Sequence, residues 1–238
     1  MKASGGKTIY GAALGILMLE TRFPRIYGDM GNAATWPFPV LYKVVPQASP
    51  DRVVRQGAHG LLPDFLSAAE DLVRMGADGI TTNCGFLSLF QDAIAAQVKV
   101  PVATSSLMQA PLIQRLLPSD RKVGILTISA ESLTPEHLTA AGVDPDTPVA
   151  GTLPGCEFNR VILEDEAELN VELARRDNIE AAQRLVNQHP DVGAILMECT
   201  NMSPYAADIQ QISGRPVFSI YSFMLWFQAG LMPRSFAP

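Results

Sequence analysis

Apolar runs of strand length alternate with longer stretches of helical period along the whole chain. The runs lie at 12–19, 39–45, 78–83, 100–104, 122–128, 148–153, 193–198 and 216–221. Between them fall helical patterns near 60–75, 86–97, 106–117, 132–141, 168–188, 203–213 and 222–230. Strands that are apolar on both faces need helices on both sides, so the pattern predicts an α/β protein built on parallel sheets. Pro101, Pro148 and Pro216 stand at strand starts, where a missing N–H removes no ladder bond. The helix over 168–188 has the clearest signal. Glu166, Glu168 and Glu172 crowd its front and Arg175, Arg176 and Arg184 come after, which complements the helix dipole. Leu169, Leu173 and Ile179 are expected on its inward face.

The segment Pro118-Ser119-Asp120-Arg121-Lys122 breaks the pattern near the midpoint, with four strand runs on either side. It predicts two α/β lobes, each a roughly four-stranded parallel sheet flanked by helices. The first lobe takes residues 1–118 and 215–238, the second 119–214. Open parallel sheets bind ligands at their C-terminal strand ends, which places the site in the cleft between lobes. The stretch ETRFPRIYGDMGNAATWPF (20–38) has no helical period and comes directly after the first strand. A long irregular loop there is expected to serve the site. Its Arg22 and Arg25 are surface charges or carboxylate ligands; Arg22 is taken as the binding candidate.

The run Ile9 to Leu19, after Lys2 and Lys7, has the outline of an export leader. The next segment, Glu20-Thr21-Arg22-Phe23-Pro24, has no small-residue cleavage site, and the run is shorter than the ~20 residues that span a bilayer. It is read as a buried first strand.

At 238 residues, 47% hydrophobic and 18% charged, the chain has enough apolar residues for a sizeable core. A net charge of −6 argues against a nucleic-acid surface, which needs a basic stripe. Three cysteines without clustered spacing fit reduced thiols in a cytoplasmic setting better than a disulfide framework.

Two of those cysteines end apolar runs at the mouths of helices. Cys84 lies in ADGITTNCGFLSLF (77–90) and Cys199 in GAILMECTNMSPYAAD (193–208), each beside an Asn and a Thr. Backbone N–H groups at such a turn favour negative charge, so each thiol is expected below its usual pKa of about 8.5. A single cysteine at a strand end is most simply a small buried hydrophobe. Thr81, Thr82, Asn83 and Gly85 around one, and Glu198, Thr200 and Asn201 around the other, are poor choices for a dry core. The matched pair predicts an acid and a base facing each other across the cleft.

The other candidates carry less. Cys156, in LPGCEFN (153–159), has no matching turn, and His59, His137 and His189 share no spacing. Neither C-x-x-C nor H-x-x-x-H occurs, so no zinc pattern is present. Gly5-Gly6-Lys7-Thr8 imitates the tail of a phosphate loop, but the position that needs its first glycine is Met1. No G-x-G-x-x-G comes after a strand, and no cofactor or metal is expected.

With its lobes of parallel strands and the turns T-T-N-C-G (81–85) and E-C-T-N (198–201), the chain resembles the aspartate/glutamate racemase superfamily over nearly its whole length. That group includes glutamate, aspartate and hydantoin racemases, maleate isomerases and arylmalonate decarboxylases, and its lobes are related by a pseudo-twofold, so the resemblance implies two pseudo-symmetric lobes here. E-C-T-N is similar to the family's G-C-T-H turn, with Cys199 and Thr200 matching, Glu198 in place of the glycine and Asn201 in place of the histidine. T-T-N-C-G resembles a C-N-T-type turn with Asn and Cys in another order. VGILTIS (123–129) is similar to the turn that supplies hydroxyls and N–H groups to the substrate carboxylate, with Thr127 and Ser129 in that place. The family's D-S-G-x-G-G pattern is not found in ETRFPRIYGDMGN, so a different ligand or a different mode of carboxylate binding is expected.

The resemblance implies a cofactor-independent racemase or epimerase acting on a small carboxylate-bearing substrate, an amino acid or a derivative. Cys84 and Cys199 would be its catalytic pair, and Asn83, Gly85, Thr127, Ser129, Thr200, Asn201 and Arg22 its substrate ligands. Neighbouring readings are maleate-type cis–trans isomerisation and arylmalonate-type decarboxylation with the same cysteines. Outside the enzymes stands a two-lobe small-molecule binding module. Neither nucleic acid nor membrane is expected as a partner. The apolar stretch YSFMLWFQAGLM (221–232) reads either as the contact of a homodimer or higher homo-oligomer, or as a last helix packed on the first lobe.

Overall fold

Each of the eight apolar runs contains a strand: β1 (Leu14–Leu19), β2 (Val40–Val45), β3 (Gly79–Thr82), β4 (Val102–Ala103), β5 (Lys122–Thr127), β6 (Val149–Gly151), β7 (Val192–Met197) and β8 (Val217–Phe218). In the computed structural model, which describes residues 4–236, they pair in parallel as two four-stranded sheets of order β2-β1-β3-β4 and β6-β5-β7-β8. Met1 and Lys2, on which the phosphate-loop and leader readings partly depend, and the outermost ends of the first lobe lie outside the described residues. The expected fold class is the one observed.

β1 is buried at all six positions because both faces of its sheet are covered. One face meets α1 (Leu62–Met75), so close that a Cβ on Gly15 would lie 3.0 Å from Ala77 Cβ and 3.2 Å from Leu72 Cβ. The other turns Leu14, Ile16 and Met18 toward α8 (Ile220–Leu231), which supplies Ile220, Phe223 and Met224. The remaining helices are α2 (Gln91–Gln97), α3 (Ala110–Leu116), α4 (Pro135–Ala140), α5 (Glu157–Leu163), α6 (Val171–Gln188) and α7 (Ala206–Ser213).

The lobe boundaries differ from those read at the polar break. Helix α3 is fastened to the second sheet: Gln114 Oε1 accepts from the Val123 N–H at 2.9 Å, and its Nε2 donates to the Arg121 carbonyl. The chain therefore leaves the first lobe after β4, before residue 118. β8 pairs with β7 in the second sheet, so the return comes at Ser219 rather than at 215. In each half the helix after the edge strand crosses to cover the other half's sheet. The polar segment at 118–122 marks only the loop from α3 into β5.

Two local readings also change. The inward face of α6 is Ala174, Asp177, Asn178, Ala181, Ala182 and Leu185, whereas Leu173 is 36% exposed. Small residues let this helix approach its sheet, and each of its two buried polar residues makes a hydrogen bond. Asp177 Oδ2 accepts from the Phe158 N–H in the first turn of α5, and Asn178 Nδ2 donates to the Ala174 carbonyl. Helix α5, seven residues long, was not anticipated.

The last helix settles onto the first sheet, with Trp226 left 66% exposed on its outer side. Met224→Ala is expected to cost about 2–5 kcal/mol in chemical denaturation, the cost of emptying a buried site. A change within about 0.5 kcal/mol, as at exposed positions, would show that α8 does not dock there in solution.

Candidate functional site

Both cysteines lie where a central strand stops and a short 3₁₀ turn begins. β3 runs through Asn83 and Cys84 into the turn Gly85–Phe90, and β7 through Glu198 and Cys199 into the turn Thr200–Tyr205. The two turns touch. Thr200 Oγ1 donates to the Asn83 carbonyl at 2.5 Å, so a residue of one sheet's turn is anchored on the other sheet's strand end. Ser106 Oγ, in the crossover after β4, adds a 2.6 Å bond to the Met197 carbonyl.

The pocket between them has a floor of Asn83, Cys84, Gly85, Glu198, Cys199, Thr200 and Asn201. Its walls are apolar: Leu19, Phe23, Pro50, Val54, Phe86, Ile128, Ile162 and Leu163, with Arg25 at one side. The cavity amounts to about 20 Å³, room for the centre of one water molecule. A larger ligand enters only if a wall moves.

Closure reverses the expected effect on the thiols. Cys84 and Cys199 are 9% and 6% exposed, and burial pushes both thiols far above their ordinary range. The negative charge of Glu198 pushes in the same direction. The N–H groups of Phe86 and Asn201 pull each thiol down, as anticipated, but two short turns do not outweigh the loss of water. Cys199 Sγ lies 3.8 Å from Asn201 Oδ1, to which it donates.

Glu198 is the least expected member of the floor. It is fully buried at the end of an apolar strand, where burial raises its carboxyl to about 7 against the opposing hydrogen bond from Thr127. Thr127 Oγ1 donates to Oε2 at 2.6 Å, while Oε1 has no partner. The carboxyl fills the space a side chain at Gly85 would need, since a Cβ there would clash with Oε1. Its signal in the sequence is a single acidic residue closing the apolar run AILM, where it reads only as a polar neighbour of Cys199.

The structure brings six of the nine candidates together on the floor: Cys84, Cys199, Asn83, Gly85, Thr200 and Asn201. Asn83 Oδ1 accepts from the Leu19 N–H at 2.8 Å, which leaves Nδ2 without a partner. Thr127 stands behind Glu198 rather than in the pocket wall. Ser129 bonds Ser132 and faces a separate cavity with His137 and Thr134, because the chain bends away after β5. Arg22 points outward, with a side chain 78% exposed and its guanidinium 3.7 Å from Asp165. Arg25 is the arginine that turns in. It rests 4.6 Å above the Phe23 ring and is ion-paired with Asp29 at 2.9 Å. Asp29 also accepts from Asn201 Nδ2 at 2.6 Å, so the loop after β1 is tied to the second cysteine turn. Nothing in the spacing of two arginines three residues apart distinguishes them; the path of the loop does. Among the described residues no cluster of His, Cys, Asp and Glu could hold a metal ion, and no helix is long and apolar enough to cross a membrane.

A family model for Asp/Glu/hydantoin racemases matches residues 63–226, from α1 into α8. The chain belongs to this family. Among its curated relatives is a dimethylsulfoniopropionate lyase of Durusdinium sp. clade D, 31% identical over 217 residues, covering 87% of this chain and 71% of that protein. Dimethylsulfoniopropionate lyase 6 of Emiliania huxleyi is 30% identical over 222 residues, and the match takes in 87% of this chain but only 56% of the relative. The solved structure of unliganded arylmalonate decarboxylase superimposes with a TM-score of 0.60 over 92% of both chains at 15% identity, a likeness of fold alone.

The buried carboxyl gives this family member a pH-dependent stability. A group whose pKa is raised by folding adds stability in full below the ordinary glutamate range and loses it as pH climbs toward and through about 7. Glu198→Gln should therefore match the wild type near pH 4 and exceed it by roughly 3 kcal/mol at pH 8. Paired denaturation curves at the two pH values measure this, and a constant difference would show that Glu198 ionises freely.

Proposed function

We propose that this chain is a cofactor-independent lyase that removes a proton α to a carboxylate and expels a leaving group from the β carbon, with dimethylsulfoniopropionate as substrate. The geometry by itself serves any carbon-acid reaction. What supports elimination is the likeness to the dimethylsulfoniopropionate lyases, spread over 87% of this chain. The chain spans about 71% and 56% of those two relatives, and their activity is carried to it here as a proposal.

The chemistry balances with the residues of the floor. One cysteine, as thiolate, takes the α-proton. The electron pair left on carbon forms the C=C bond, and the C–S bond breaks with its pair going to sulfur. Dimethyl sulfide and acrylate leave, and the proton stays on the cysteine until it passes to solvent. Burial makes both thiols resist ionisation, but a sulfonium cation brought beside them favours the thiolate. Arg25 does not compete with that cation, because Asp29 already neutralises it. The apolar walls exclude water and strengthen each of these charge effects. The second cysteine, held as thiol, is a donor toward the developing negative charge.

A second reading comes from the presence of a cysteine in each lobe. Proton removal on one face and delivery on the other inverts a stereocentre, so racemisation or epimerisation of a small amino acid or derivative uses the same floor.

Incubation with dimethylsulfoniopropionate should release dimethyl sulfide and acrylate in equal amounts. Cys84→Ala and Cys199→Ala should each lower the rate by ~10²-fold or more, the range for general acid–base groups. A wild-type chain that releases no dimethyl sulfide, yet incorporates α-deuterium from D₂O into a chiral amino acid or hydantoin, would move the assignment to racemisation. Full turnover in both cysteine variants would remove the thiols from the mechanism.

A further inference from the structure

Asn83 Nδ2 and Glu198 Oε1 are buried side-chain polar atoms that find no partner among the described residues, and both residues line the same pocket. Each is pinned through its other terminal atom. The Leu19 N–H must go to the Asn83 carbonyl oxygen, which turns the amide NH₂ group the other way. The Thr127 hydroxyl holds Glu198 Oε2, and Gly85 leaves the space that Oε1 occupies. Buried polar groups are nearly always satisfied, so two orphans around one cavity point to a ligand that satisfies both.

The charges nearby decide which ligand group fits. Around Glu198 stand Cys84 from the β3 turn, Cys199 next to it in the chain, and Arg25 with Asp29 from the loop after β1. His137 packs edge-on behind Phe86 at 5.2 Å and faces a different cavity. The one nearby guanidinium is engaged by Asp29. An ionised Glu198 would repel a carboxylate and oppose a thiolate at either cysteine. A neutral one does neither, and it presents an O–H.

We propose that Asn83 and Glu198 together form the carboxylate subsite, with Glu198 acting in its protonated form as a hydrogen-bond donor rather than as a base. This rests on the carboxylate part of the proposed function, not on the identity of the leaving group. The two donors meet the two carboxylate oxygens, and they tighten as the α-carbanion moves charge onto those oxygens. A carboxyl that titrates near 7 exists in the required form at neutral pH and loses it in base.

Propionate, which carries the carboxylate and no leaving group, is the probe. Its affinity is read from the amide signals of Asn83 and Gly85 in ¹⁵N–¹H spectra. Wild-type affinity should weaken about tenfold from pH 6 to pH 8, as the neutral fraction of a group titrating near 7 falls. Glu198→Gln, which keeps a neutral donor, should bind propionate with little change over that range. Glu198→Leu should lose at least tenfold in affinity. So should Asn83→Asp, which keeps the acceptor for Leu19 but replaces the donor. With dimethylsulfoniopropionate, Glu198→Leu should lose about 10²-fold or more in turnover while Glu198→Gln stays within about tenfold of the wild type. The proposal is overturned if Glu198→Gln fails as badly as Glu198→Leu, if wild-type affinity holds or rises with pH, or if the wild type binds no propionate. pH-dependent propionate binding without dimethyl sulfide release would instead overturn the lyase and leave the subsite standing.

Discussion

One short contact organises this molecule: the hydroxyl of Thr200 seated on the carbonyl of Asn83. It joins the C-terminal ends of the central strands of two separate sheets, the ends at which parallel sheets expose their loops to ligands. Because the donor and the acceptor each neighbour a cysteine in sequence, holding the turns together also brings the cysteines to one cavity. The exchange of α3 and α8 between lobes braces this join from outside. Each sheet is covered in part by a helix that the other half of the chain supplies, so the lobes cannot separate without uncovering apolar surface.

The join has an electrostatic consequence. Two thiols and a carboxyl are enclosed with apolar walls, where burial disfavours ionisation of all three and the Glu198 charge further disfavours both thiolates. A pocket of this kind is at rest when protonated. Positive charge brought beside the thiols favours their ionised form. The walls leave little empty volume, so water has little access to the thiols.

The loop after β1 is tied to the second cysteine turn. Arg25, Asp29 and Asn201 form a connected chain of hydrogen bonds from the loop to the amide that accepts a hydrogen bond from the Cys199 S–H. In the racemases that the second turn resembles, the position of Asn201 holds a histidine. Here it holds an amide that anchors the loop instead of titrating. Membership of the family thus settles the scaffold and leaves the reaction open, because proton removal beside a carboxylate is common to elimination and inversion. What differs between them is whether the carbanion meets a leaving group or a second acid.

Strand positions, parallel sheet type and the cysteine turns were legible in the sequence because each depends on local pattern, whereas the sheet that β8 joins was not. Apolar runs such as LGILML and GAILM are strands in any arrangement that buries both faces, and a cysteine that closes such a run beside Thr and Asn sits at a strand mouth. The polar break at 118–122 was also legible, but as a loop; which sheet α3 covers depends on a contact between Gln114 and Val123 that no periodicity records. The choice of Arg25 over Arg22, the departure of Ser129 from the pocket and the upward push on both thiols were decided in three dimensions. Each depends on what packs against the residue, not on its neighbours in the chain. Glu198 shows the division most clearly. Its place at the end of β7 was written in the sequence, but its burial against Gly85, its bond to Thr127 and its unpaired oxygen exist only because two lobes close on one another. Solvent exclusion, which sets the charge of every group on the floor, is a property of that closure.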